Sequence, residues 1–479
     1  MLPFKPAFLW TDLLLFGLVL ALLATAWYIR RREHLAAPWR KVALSRAGMV
    51  SAALLAVFAG IGLLDSLHYR PALADAGAAV ATGGKPAAGE TRYAVELRSV
   101  LDRLLDPLPS QVETTYSAPL ASRAFNKTAL ESDEGAVRDY PRLKYGGAHL
   151  PDDGSGRGAD IATRAAGGAL QGLGVGLLAL VLLAVVRGPG RAIGRLGAWL
   201  AGNGTDAVHW AAWTLLAVAA LGGTLAGLAS GYHVFGTDKV GQDVLYQILK
   251  SIRTALVIGT LTTLVTLPIG VVLGIAAGYF RGWIDDLIQY LYTTLNSIPG
   301  VLLIAAAVLM TQVYMDTHPE SFETVTARAD FRLLFLCLIL GITSWTGLAR
   351  LLRGETLKLR ELEYVQAAQA FGVSGRAILA RHILPNVMHI VLIALVMDFS
   401  GLVLAEAVLS YVGVGVDPSM ISFGTMINSA RLEMAREPMV WWALAAAFVF
   451  MFVLVLAANL FADAVRDALD PRTRVRGVA

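Results

Sequence analysis

Cysteine is nearly absent. The 479 residues hold one, Cys337, inside an apolar run. A single thiol excludes an intrachain disulfide, a thiolate metal cluster and an iron–sulfur site. Charge is scarce too: Asp, Glu, Lys and Arg make up 16% of the chain, against roughly 25% in ordinary soluble domains. With 56% hydrophobic residues and a mean hydropathy of +0.60, the chain is expected in a bilayer. The net charge of +4 is small for this length, and no basic stripe on a soluble domain points to nucleic acid. No G-x-x-x-x-G-K-S/T run occurs, so nucleotide phosphates are not cradled by that route. Gly172, Gly174 and Gly176 sit inside an apolar run rather than after a strand, which rules out a dinucleotide fingerprint. His382 and His389 flank Pro385 without a further ligand set, which argues against a metal site.

What is present is apolar length. Runs of about 20 residues, enough to cross a bilayer, fall near 9–29, 47–65, 168–186, 208–230, 254–279, 288–315, 332–351, 387–411 and 440–462. The first is long and is followed by Arg30, Arg31 and Arg32, the flank of a stop-transfer segment rather than of a cleavable signal. Lys and Arg in the short loops set the orientation. With the N-terminus outside, the inside segments carry 20 of them and the outside segments 8, leaving 12 in the unscored loop 66–167. The bias predicts the N-terminus outside, the C-terminus inside and residues 350–385 in the cytoplasm. The chain then divides into N-terminal spans (1–65), an extracytoplasmic insertion (66–167), additional spans (168–230) and a C-terminal core (231–470).

The insertion is rich in Gly, Ala, Pro and charge, with six aromatics. Tyr93, Leu97, Val100, Leu101 and Leu104 fall at helical spacing and predict one amphipathic helix over 91–105. Gly83 to Pro86 and Pro151 to Gly158 read as flexible. A loosely ordered insertion and a docking surface for a partner both fit. The Asn126–Thr128 sequon carries no weight in either.

One polar, basic segment lies between two long apolar runs: residues 363–386, within a loop over 354–385. Leu357, Tyr364, Ala368 and Phe371 are spaced as one helical face, kept low by Ala367 and Ala368. Gly372 can take a positive φ and end that helix. Ser374 is a candidate N-cap for a second helix through Arg381, and Pro385 stands where the next span starts. Such a rod on the membrane face suits contact with a soluble protein. Gln366-Ala367-Ala368, then Gly372, then Leu384-Pro385 resembles the "EAA" loop of ABC importer permeases, and Arg381 to Asn386 is similar to the oligopeptide/dipeptide branch. One departure is Gln366, where the family usually has Glu.

Two further segments share the resemblance. Gly236-Thr237-Asp238, Gly241 and Asp243 resemble the branch's "FGTD-x-x-G-R-D", with Gln242 in place of Arg. Thr237 or Asp238 can cap a helix striped by Val240, Val244, Ile248 and Ile252, expected in the outer interface. Residues 402–418, with Glu406, Ser410, Gly413 and Gly415, resemble "E-A-x-L-S-F-L-G-L-G-V-x-P" and would form a re-entry near the outer mouth. The resemblance covers roughly 231–470; either 47–65 or 208–230 corresponds to the family's first span.

The resemblance implies an all-α polytopic protein of about nine spans, with a type I ABC importer permease core in the bacterial inner membrane. It implies a second homologous permease, two ABC ATPases that hold ATP and magnesium, an extracytoplasmic binding protein and a peptide-like substrate. The chain itself would need no cofactor and catalyse no covalent chemistry. Asp398, about 18 Å along a helix from Asn386, is expected deep in the bilayer. It either faces a pathway or makes a local hydrogen bond, for example to Asn296. With Glu406 it is the candidate pathway residue. An ion-gradient-driven carrier coupled through Asp398 is the alternative, and the rod at 354–385 argues against it. Gly270, Gly274 and Gly278 predict a close helix seam.

Overall fold

The computed structural model describes residues 4–72, 93–132, 135–151, 155–188, 192–202, 207–322 and 324–469. The chain opens with α1 (Trp10–Arg30), α2 (Glu33–Leu44) and α3 (Arg46–Asp65); within the insertion lies α4 (Val100–Leu104). Then come α5 (Arg157–Val186), α6 (Ala192–Ala201), α7 (Val208–Ala229), α8 (Val244–Phe280), α9 (Gly282–Ser297) and α10 (Gly300–Thr317). The remainder is α11 (Val325–Ser344), α12 (Thr346–Arg360), α13 (Glu363–Ala370), α14 (Gly375–Ile378), α15 (Leu384–Val412), α16 (Phe423–Glu433) and α17 (Trp442–Leu469). Among the described residues nine helical stretches are long and apolar enough to cross a membrane, one at each expected place.

Several boundaries differ from the expected spans, among them the start of α5 at Arg157 instead of near 168, and two have a local cause. The run 288–315 is broken at Ile298 and Pro299: Ile298 is extended, with φ −92° and ψ 129°, as a residue before proline tends to be. The amphipathic α9 therefore ends there and the span is α10. The run 254–279 instead starts earlier, because Asp243 caps α8 by accepting from the Leu245 and Tyr246 amides. Val244, Ile248 and Ile252 are wholly buried in that continuous span, whereas Val240 is 53% exposed in the preceding turn. Among the described residues no separate interfacial helix precedes α8.

The core gathers around α8. It packs on α3, α11, α12, α15, α16 and α17, with Val244, Ile248, Ile252, Leu454 and Phe423 sealed in one cluster. The glycine seam has α12 as its partner. A Cβ at Gly274 would lie 2.7 Å from the Ala349 carbonyl oxygen, closer than real contacts allow. A second seam, which the sequence reading missed, joins α5 to α7: a Cβ at Gly172 would stand 2.1 Å from the Ala219 carbonyl oxygen. The α5–α7 hairpin rests on α3, while α1 packs on α8 and α11.

The insertion adds two small sheets. β1 (Phe4–Ala7), β2 (His68–Pro71) and β3 (Arg98–Ser99) pair antiparallel in that order, with Lys5 opposite Arg70 and Tyr69 opposite Arg98. β4 (Thr128–Ser132) and β5 (Gly135–Asp139) form a hairpin. The pairing of β1 with β2 puts the N-terminal segment and the insertion on one side. The expected helix over 91–105 shrinks to α4. Arg98 and Ser99 are spent on β3, and a reciprocal cap between Ser99 and Asp102 starts the helix at Val100. Thr91, the stretch 83–86 and residues 152–154 lie outside the described residues.

Candidate functional site

At the far end of α8 from the insertion, the chain makes an elbow. α12 stops at Arg360, α13 follows, and Gly372 turns the chain with φ +73° and open space around its α-carbon. Val365, Ile378, Ile383 and Val387 are wholly buried with Leu352 and Tyr279, so α13 is bolted to α8, α12 and α15. Outward, Phe371 is 88% exposed and Tyr364 43%, the latter with the His382 ring 6.0 Å away. Gln366 donates to the Glu361 carbonyl at 3.2 Å, and Asn386 donates to the Tyr364 hydroxyl at 3.1 Å. Behind the elbow Arg353 grips Asp285 through two bonds of 2.7 and 2.6 Å, which hold the Asp285 carboxyl below its usual range.

Two expectations about this segment need correction. Ala368 does not share the exposed face: it is half-buried against the chain's own cluster. The expected stripe counted from Leu357, but the helix breaks at Glu361 and Leu362, which resets the rotational phase. Ala367 is the exposed one of the pair. Ser374 occupies the N-cap position without a side-chain cap bond. Pro385 stands in the first turn of α15, the expected start of the next span, and a π turn over Leu379–Ile383 joins α14 to that span without a gap.

On the insertion side, Gly236, Thr237, Asp238, Gly241 and Asp243 form a clasp for residues 113–117. A Cβ at Gly241, where φ is +78°, would stand 1.9 Å from the Glu113 carbonyl oxygen. Only glycine allows that approach. The Thr237 hydroxyl accepts from the Ser117 amide at 2.7 Å and donates to the Thr115 carbonyl at 3.0 Å. Trp442 donates its indole N–H to the Thr237 carbonyl. Asp238 holds the turn through the Val240 and Gln242 amides and the Gln247 side chain.

Asp243 also meets His233 at 2.8 Å, and His233 meets Glu113 at 3.3 Å on its other nitrogen. An imidazole between two carboxylate acceptors has to donate from both nitrogens and is therefore cationic. Burial alone would lower its pKa, but the bonds to Asp243 and Glu113 carry it up to about 9. For Glu113, burial works upward and loses to His233 and to the Tyr145, Lys144 and Gly146 amides, which bring it down to about 2. Beside the clasp, Tyr116, Asp238, Gln247, Thr425, Glu433 and Val440 line a cavity of about 250 Å³.

Glu406 lies under the loop after α15. It is 1% exposed and accepts from Ser410 at 2.7 Å, while Ser410 accepts from the Val416 amide. It holds that loop and faces no open passage. Asp398 is half-buried in mid-α15, and Asn296 is engaged by Thr346 instead. The sequence reading missed an ionic cluster at the start of α8. Arg253 pairs with Asp12 at 2.6 Å and lies 3.8 Å from Asp330; Lys250 pairs with Asp65 at 2.6 Å and Asp102 at 3.0 Å. The signal was there: Asp12 and Asp330 each stand within or beside an apolar run, where ionisable groups need partners.

Residues 270–475 match the model for the binding-protein-dependent transport system inner membrane component. An oligopeptide transport system permease protein, OppC, of Mycobacterium tuberculosis is 33% identical over 242 residues, 50% of this chain and 77% of that one. A glutathione transport system permease protein, GsiD, of Pectobacterium atrosepticum is 35% identical over 247 residues, 51% of this chain and 74% of its own length. A dipeptide transport system permease protein, DppC, of Bacillus subtilis is 29% identical over 245 residues, 51% and 70% of the two chains. The chain belongs to the family of binding-protein-dependent transport system inner membrane components.

Proposed function

We propose that this chain is the membrane permease of an ATP-driven peptide importer, with its elbow at 354–385 as the contact for an ATPase subunit. The observation that carries this is the elbow's build: exposed Phe371 and Tyr364 on a short helix whose other side is fixed in the core. A load applied to α13 passes directly to α12 and, through the unbroken α14–α15 rod, to a span. Movement of those spans against α8 would open the path alternately to each side. Peptides are the cargo class because the relatives are an oligopeptide, a dipeptide and a glutathione permease by name.

The assembly would hold a second homologous permease, two ATPases carrying ATP and magnesium, and an extracytoplasmic binding protein facing the insertion. The charge bias supports the N-terminus outside and the elbow in the cytoplasm. Of the early spans, α3 is the better counterpart of the family's first: it packs on α8 and α17, and α7 packs on α3 and α5. Helices α1, α5 and α7 are then additions. Asp398 is a pathway residue without an ion-coupling role. Purification with native partners, identified by mass spectrometry and reconstituted in vesicles, tests the reading. Peptide uptake that needs ATP supports it; uptake that persists without hydrolysis and collapses with the proton gradient overturns it.

A further inference from the structure

Where α1 and α5 end, on the side away from the insertion, a cleft of about 540 Å³ is lined by Arg30, Leu183, Val186 and Arg187. Both arginines line the same space. Among the described residues neither meets a carboxylate, and Arg187 lies over the Trp199 ring at 5.6 Å. The carbonyls at the end of α5 do not claim Arg187, because Arg195 donates to those of Ala184 and Gly188 at 3.3 and 3.1 Å. Two unneutralised cations on one cleft repel each other unless an anion lies between them. The other two lining residues are aliphatic and open: Leu183 is 50% exposed and Val186 85%.

We propose that this cleft binds an anionic phospholipid, its phosphate between Arg30 and Arg187 and its glycerol and first acyl carbons on Leu183 and Val186. The pairing of charge with aliphatic surface is what selects a lipid over a free anion. Guanidinium groups bind phosphate oxygens through paired N–H donors, and both arginines end spans, at the depth of headgroups. Trp27, under Arg31 at 3.7 Å, and Trp199 supply the aromatic belt expected at that level. The lipid would tie the added hairpin to α1.

Native mass spectrometry of the full chain in detergent, titrated with phosphatidylglycerol or phosphatidylcholine, tests this without any transport assay. The wild type should retain phosphatidylglycerol in preference to phosphatidylcholine. Arg30→Gln/Arg187→Gln should weaken retention about thirty-fold, from about 1 kcal/mol per basic residue near a charged lipid surface. Arg31→Gln, which removes a neighbouring charge outside the cleft, should leave retention unchanged. Equal retention of the two lipids, or an unaffected double variant, would overturn the proposal. Displacement of the lipid by millimolar inorganic phosphate would assign the cleft to free anions and overturn it too.

Discussion

The Glu113 carboxylate lies 3.3 Å from the His233 ring nitrogen, across 120 residues of sequence. It also accepts from the amides of Lys144, Tyr145 and Gly146. One side chain thus joins two stretches of the insertion to the turn that starts α8.

The clasp should be sensitive to pH on both sides. The bonds to Asp243 and Glu113 carry His233 up to about 9, above the ordinary 6.5 of an imidazole, so its contribution is complete below about 6.5 and is lost as pH rises through 9. Glu113, at about 2 against 4.5, contributes fully above about 4.5 and is lost as pH falls toward 2. The insertion should resist limited proteolysis best between about pH 4.5 and 6.5. His233→Ala leaves Glu113 and Asp243 facing each other unneutralised, at a cost of about 3 kcal/mol. That variant's insertion should be cleaved much faster at neutral pH, with the spans intact.

Arg253 anchors α1. It lies between Asp12 of α1 and Asp330 of α11, and Thr11 donates to Asp330 as well. Arg253→Ala leaves two buried carboxylates without their cation, though Asp12 keeps His68 at 2.8 Å and Asp330 keeps Thr11, and should destabilise the protein by about 3 kcal/mol. Asp12→Asn keeps a polar partner and should cost less. Thermal unfolding in detergent checks the order; equal melting of Arg253→Ala and wild type would contradict it.

Legibility in the sequence followed range. The spans, the glycine seam on α12 and the turn at Gly372 are local patterns, and each stands where its residues put it. The break before Pro299 was also local, but a continuous apolar composition masked it. The phase of α13 could not be read from Leu357, because two residues of non-helical chain lie between. Glu113 with His233 and Arg253 with Asp12 join segments more than a hundred residues apart, and no periodicity reports such a pairing. The family motif at 236–243 was legible as a motif, but its role as a seat for the insertion came from what presses on Gly241.

Orientation can be read with one label. Ser110 is exposed in the insertion, and Cys337 is the chain's only thiol. Ser110→Cys with Cys337→Ser should react with an impermeant maleimide added outside intact cells. Reaction only after the membrane is opened would reverse the assignment.

The most direct measurement is ATPase retention and peptide uptake in Gly372→Val and Ala367→Arg. Gly372 has open space around it, so valine there is resisted by the positive φ alone, about 1–3 kcal/mol of strain, too little to prevent insertion. Ala367→Arg puts bulk on the exposed face of α13 without touching the core. Both variants should insert in normal amounts and lose uptake, with the ATPases released during purification or bound without substrate-stimulated hydrolysis. Wild-type uptake by both, with ATPases still attached, would contradict the elbow's role as the coupling element.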